Sequence, residues 1–145
     1  MVTVLVVEDF QLFRQLLCSL LRRNPQIESI AEVTDGLQAV EKARELQPVL
    51  ILLDIELPGI NGIEAAMRIR QVSPRSKLIF VSSESSVYAV QRAFEVGAAG
   101  YLAKTDAVKE LSAAMESVLE GKRFVSVTFS TQFMAGAKDG CIQDS

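Results

Sequence analysis

Residues 49–62 read VLILLDIELPGING: five consecutive apolar residues, an aspartate at position 54, then a loop crowded with turn formers at Pro58, Gly59, Asn61 and Gly62. An unbroken apolar run this short is the pattern of a β-strand covered on both faces. It is the most apolar run of the chain, which places it at the centre of a sheet. Similar runs stand at 2–7 (VTVLVV), 27–33 (IESIAEV), 78–81 (LIFV) and 100–103 (GYLA). Helical patterns alternate with them. Phe13, Leu16, Leu17, Leu20 and Leu21 form one stripe that stops at Asn24–Pro25. Asp35 caps a second helix that closes at residues 46–48, LQP. Short helices follow over 63–72 and 87–96, the latter ending at Gly97. Asp106 caps the last, over 108–120, with Val108, Leu111, Met115, Val118 and Leu119 on one face. The alternation predicts an α/β fold: a doubly wound, five-stranded parallel sheet with helices on both faces.

Polar residues stand where the apolar strands end: Glu8 and Asp9, Asp54, Ser82 and, just past the last strand, Lys104. A parallel sheet brings those ends to one edge, where such folds bind ligands. Asp54 is placed to act as a carboxylate nucleophile toward a phosphoryl group. That transfer needs position and charge neutralisation more than covalent help. Crowded acids suit a hard divalent cation, Mg²⁺ or Mn²⁺, with Asp9 and Asp54 giving oxygens and Glu8 acting through water. Lys104 is a mobile cation able to follow a phosphoryl oxygen, and Ser82 a hydroxyl able to donate to it. Tyr101, three residues before Lys104, is free to swing between buried and exposed rotamers. Taken singly, each has a plain reading as loop acid, surface lysine, capping serine or strand tyrosine. Their joint placement is what points to chemistry.

Composition bounds the rest. With 145 residues, 49% hydrophobic and 23% charged, the chain makes one ordinary domain. A net charge of −3 leaves no basic footprint for nucleic acid or an anionic membrane. No apolar run reaches the ~20 residues of a membrane span. Met1 leads directly into a strand with no leader-like region, so no signal peptide is expected. Cys18 falls in a helical pattern and Cys141 in a polar tail, which suits a reducing cytoplasm. The chain contains no histidine, which removes the usual general base, the commonest zinc ligand and any internal phosphohistidine relay. Phosphate must come from another protein or a small donor. The residues after Glu120 are too few for a second domain. Residues 1–123 therefore form the domain, and 124–145 are expected to be a linker or tail, partly disordered.

The stretches VLVVED (4–9), LLDIELPGINGIE (52–64), IFVSSES (79–85) and AFEVGAAGYLAK (93–104) together resemble the receiver domain of two-component response regulators. The resemblance covers residues 2–124 and implies the flavodoxin-like (βα)5 receiver fold. It implies that Asp54 is the phosphoacceptor, Glu8 and Asp9 the acidic metal pair, and Ser82 the switch hydroxyl. Lys104 becomes the phosphate-sensing lysine, Tyr101 the aromatic switch, and the Glu56 backbone carbonyl a third protein ligand to Mg²⁺. The implied partner is a sensor histidine kinase. The implied output is phosphorylation-dependent pairing, as a homodimer or with another target, through the face made by 87–96, 100–103 and 108–120. Val87, Tyr88, Val90 and Lys109 are its candidate contacts. Residues 98–126 look most like regulators with a C-terminal helix-turn-helix domain. No such domain lies in these residues, so any action on DNA and transcription belongs to an output domain beyond them.

Three features depart from the usual receiver. Thr105 follows Lys104 where many receivers have proline, and a cis bond there would cost about 2.5–4 kcal/mol. Glu56 and Glu84 add acids two residues beyond Asp54 and Ser82, where their charge is expected to slow an anionic donor or alter hydrolysis. The first metal acid is a glutamate. A receiver of this kind catalyses its own phosphorylation and dephosphorylation without being a turnover enzyme. Three alternatives stand beside it. One is a metal-dependent phosphohydrolase with an aspartyl intermediate, one a flavin module whose first turn would have to tolerate Glu8–Asp9, and one a receiver-like scaffold that is never phosphorylated.

Overall fold

The computed structural model of the protein describes residues 1–84 and 86–129. The strands are β1 (Val2–Val7), β2 (Ile27–Val33), β3 (Leu50–Leu53), β4 (Lys77–Ser82), β5 (Gly100–Ala103) and β6 (Phe124–Val125). They form one sheet in the order β2-β1-β3-β4-β5-β6, with every pair parallel. The helices are α1 (Gln11–Arg22), α2 (Gly36–Leu46), α3 (Gly62–Val72), α4 (Val87–Glu95) and α5 (Ala107–Leu119). All four residues of β3 are buried, which is why its run has no polar interruption.

Alternation along the strands divides the core in two. Leu5, Val7, Ile51, Leu53, Leu78 and Phe80 face the side covered by α2, α3 and α4. Val4, Val6, Leu50, Leu52, Ile79 and Val81 face α1 and α5. In the order β2-β1-β3 the crossovers leave β1 first to one side and then to the other, and that switch opens a crevice at the carboxyl end of the sheet.

Local chemistry fixes the helix starts. Asp35, Asn61 and Ser86 each accept from the backbone N–H three residues on, at 2.8, 2.9 and 3.0 Å. Gly62 matters most for the site. A Cβ there would lie 2.0 Å from the Asp54 carbonyl oxygen, so only glycine lets α3 start against the end of β3.

Three expectations are corrected. The sheet has six strands where five were expected. The extra one is only two residues long, too short to show a period, and it forms because Gly121 (φ 87°) turns the chain back beside β5. Asp106 stands at the start of α5 but does not cap it. Residues Lys104–Asp106 make a 3₁₀ turn, which leaves Asp106 at φ −101°, ψ 0° rather than in the extended conformation of a capping residue. Val108 is exposed instead of lying on the buried face of α5. Every peptide bond among the described residues is trans, that after Lys104 included. Residues 130–145, with Cys141 and most of the expected tail, lie outside the described residues.

Gly62→Ala should lower stability by about 1–3 kcal/mol through overpacking against Asp54. Gly59→Asn, at φ 78° with nothing within 4 Å of its Cβ position, should be nearly neutral. Urea midpoints of the two variants check the contrast.

Candidate functional site

The carboxyl edge is set by register. Val7 pairs with Leu53, so Glu8 and Asp54 leave adjacent strands side by side. Their backbones stay in the sheet pattern: Glu8 N–H donates to Val33 O and Asp54 N–H to Val7 O, both at 3.2 Å. Both side chains are buried, Glu8 at 1% and Asp54 at 4% exposure, while Asp9 is exposed at the rim.

Lys104 reaches into this pair. Its Nζ lies 2.8 Å from Asp54 Oδ2 and 3.0 Å from Glu8 Oε1. The ammonium also sits over the Phe13 ring, 4.9 Å from the centroid, so an aromatic face forms its floor. Asp54 Oδ1 accepts from the N–H of Ile55 at 2.7 Å and of Glu56 at 3.4 Å. Glu8 Oε2 accepts from Phe10 N–H at 3.0 Å, but buried Oε1 receives no aligned hydrogen bond. Arg14 braces the rear, donating to Glu8 O at 3.0 Å and pairing with Glu32 at 3.2 Å.

Burial, the larger influence, holds the Glu8 carboxyl above its ordinary value of 4.5; Phe10 and Lys104 oppose it, and Asp54 adds to it. Burial alone would lower Lys104, but its contacts with Asp54 and Glu8 reverse the sign and hold it above the usual lysine range. The arrangement is short of positive charge. One carboxylate oxygen from each of Glu8, Asp9 and Asp54 lies within 4.8 Å of the others, with a single lysine beside them. Hard oxygen donors close together and spare negative charge fit a divalent cation.

Ser82 and Tyr101 meet through the loop after β4. Ser82 is fully buried, and its Oγ accepts from Glu84 N–H at 3.0 Å. Tyr101 is fully buried too, its hydroxyl donating to Glu84 O at 3.0 Å. Burial pushes its phenol up to about 12, with Ser82 acting in the opposite sense. The ring is thus inward, where the sequence left both rotamers open. Glu56 and Glu84 turn their side chains to solvent. On the face beyond, Tyr88 is 75% exposed and Lys109 exposed, whereas Val90 is core and leaves the set of candidate contacts. Phe13 and Arg14 were not singled out from the sequence. Helical spacing read Phe13 as core, and nothing marked Arg14.

The family model for the response regulator receiver domain matches residues 4–116. The chain belongs to that family. It is 31% identical to response regulator GacA of Pseudomonas protegens over 92% of this chain and 63% of that protein. It is 34% identical to transcriptional regulatory protein DesR of Bacillus subtilis, over 85% of this chain and 61% of the relative. This receiver thus spans about three-fifths of the length of such relatives. A crystal structure of a LuxR-family two-component response regulator from Aurantimonas sp. superposes with TM-score 0.89 at 29% identity, covering 94% of this chain and 97% of that one. The isolated receiver of Salmonella RcsB, at 17% identity and TM-score 0.83, shares the fold. No described helix is long and apolar enough to cross a membrane.

Burial raises the Glu8 carboxyl, so the folded state keeps its proton to higher pH than the unfolded chain, and stability falls as pH climbs through that raised value. Glu8→Gln should remove this fall and stabilise the metal-free receiver at pH 7 by about 1 kcal/mol. With the acidic cluster reduced by one carboxylate, the variant should also show a smaller rise in melting temperature on adding millimolar Mg²⁺ than the wild type. Thermal melts with Mg²⁺ and with a chelator check both.

Proposed function

We propose that this receiver is a phosphorylation-dependent switch in which Asp54 accepts a phosphoryl group from a partner sensor histidine kinase. The observation that carries the reading is the buried Asp54 carboxylate held 2.8 Å from Lys104 beside the acids Glu8 and Asp9. An Asp54 oxygen forms a bond to phosphorus as the bond to the donor breaks, and the donor leaves with that electron pair. Mg²⁺ (or Mn²⁺), held by Glu8, Asp9, Asp54 and the Glu56 backbone carbonyl, would offset charge on the transferring oxygens. The Ile55 and Glu56 amides fix Asp54 Oδ1, leaving the other oxygen on the Lys104 side.

Lys104 then exchanges a carboxylate for a phosphoryl oxygen. Ser82, whose Oγ already accepts from Glu84, keeps its hydroxyl proton to give to another. Its pull toward the phosphoryl group moves the Glu84 loop on which Tyr101 is anchored. The result is a population shift in the face formed by α4, β5 and α5, which pairs with an identical chain or another target. Tyr88 and Lys109 are its exposed contacts, with half-buried Val87 at the edge.

We assign residues 1–123 to the receiver and 124–145 to the segment that follows it. Relatives named as transcriptional regulators support an output on DNA through a further domain; a switch of this kind would act in the cytoplasm. The receiver supplies its own phosphotransfer and autophosphatase chemistry and is not a turnover enzyme.

Intact mass after incubation with acetyl phosphate and Mg²⁺ tests the reading. One added phosphoryl group should appear, need Mg²⁺, and vanish in Asp54→Asn; Lys104→Ala should cut the yield at least tenfold. A wild type that binds Mg²⁺ yet gains no adduct and releases no phosphate would overturn it.

A further inference from the structure

Tyr101 has a neighbour from outside the βα alternation. Phe129, 2% exposed, meets its ring edge-on at 84°, with centroids 5.0 Å apart, and the Phe80 centroid lies 6.2 Å from that of Tyr101. Phe129 gets there because residues 124–129 are fastened along β5 and the start of α5. Phe124 N–H donates to Ala99 O at 3.1 Å and Ser126 N–H to Tyr101 O at 2.9 Å. The buried Ser126 hydroxyl lies between the carboxylates of Asp106 and Glu110, the latter at 2.9 Å. Thr128 gives Asp106 both its N–H, at 3.2 Å, and its hydroxyl, at 2.5 Å. Val127 N–H points to Glu110 at 3.3 Å. The acid that left α5 uncapped is spent on this clasp.

A continuous set of contacts therefore runs from the phosphorylation pocket to the C-terminal segment. Ser82 Oγ accepts from Glu84 N–H, Glu84 O accepts from Tyr101 O–H, and the Tyr101 ring packs on Phe129. We infer that Phe129 is a positioning residue for Tyr101, holding it inward before any phosphoryl group arrives and coupling the docking of residues 124–129 to phosphorylation of Asp54. The coupling half rests on the switch reading above. Coupling is reciprocal: if the inward ring favours the phosphorylated pocket, phosphorylation tightens the segment by the same factor. A second domain joined through this segment would receive the signal as a change in how firmly its tether is held.

The test uses the full chain in a Tyr88→Phe background labelled with 3-fluorotyrosine. The chain has two tyrosines, so Tyr101 then gives the only fluorine resonance. Without donor, Phe129→Ala should shift that resonance toward a solvent-exposed position and speed exchange of the Ser126 amide. Phe129→Leu, which keeps most of the volume, should do so partially, and Ser126→Ala should do so from the clasp side. With acetyl phosphate, Phe129→Ala should lower the steady-state ratio of phosphorylated to unphosphorylated chain about three- to tenfold, the scale of one aromatic pair. Its Mg²⁺ affinity should stay unchanged, which general damage to the fold would not allow. An unshifted Tyr101 resonance in folded Phe129→Ala and Phe129→Leu would overturn the positioning role. An altered resonance with an unaltered phosphorylated fraction would overturn the coupling. If even the wild type takes no phosphoryl group, the switch reading fails, while the donor-free spectra still decide whether Phe129 holds Tyr101.

Discussion

Two buried carboxylates share one lysine, and the end of the sheet is arranged around that imbalance. Glu8 and Asp54 are carried into a nearly dry crevice because β1 and β3 are adjacent and in register. Neither strand can shift by one residue without turning its apolar set to the wrong core and its acid out of the crevice. Lys104 neutralises only part of their charge, and Asp9 adds more at the rim. A buried charge without full compensation is costly, so the pocket is stabilised by whatever positive charge it takes up and responds strongly to added oxygens. The same shortage that suits the pocket to a cation would make it sensitive to an added phosphoryl group.

What fixes Lys104 is mostly side-chain contact. It opens a 3₁₀ turn after β5, with threonine rather than proline next and a trans bond between them. Its ammonium is steered by the Phe13 ring below and the two carboxylates beside it. These contacts belong to a flexible four-carbon side chain and can be exchanged one for another at small cost. Asp54 is held more stiffly, by two backbone amides and by α3 pressing Gly62 against its carbonyl. Asp54 is fixed by backbone groups, Lys104 by exchangeable side-chain contacts.

Much of this was legible in the residues, for a physical reason. Strands covered on both faces must be almost wholly apolar, so β1 and β5 begin and end at the residues expected from sequence, and the strand-end acids and lysine announce a common edge. Asp35 capped as read because its cap is a local interaction within three residues. The misses are all tertiary. β6 is two residues long and exists through its pairing with β5. Asp106 has the right type and place for a cap, but Ser126 and Thr128, twenty residues on, compete for its carboxylate and win. Tyr101 has no preferred rotamer in sequence; Phe129 and the Glu84 carbonyl choose one. Phe13 was indistinguishable from core until Lys104 was seen above it.

These misses lie together, and their place in the fold explains why. β5 is where the regular alternation stops supplying neighbours. A parallel edge strand left open would present unpaired backbone groups and one flank of Tyr101 to water. Residues 124–129 close that edge with two backbone hydrogen bonds, an acid clasp and one aromatic ring. Closure of the sheet and placement of Tyr101 are thus the same structural event. A segment that served only as a spacer would need neither the buried Ser126 nor the buried Phe129. Both are spent on fixing Tyr101 and Asp106, in the turn that opens at Lys104.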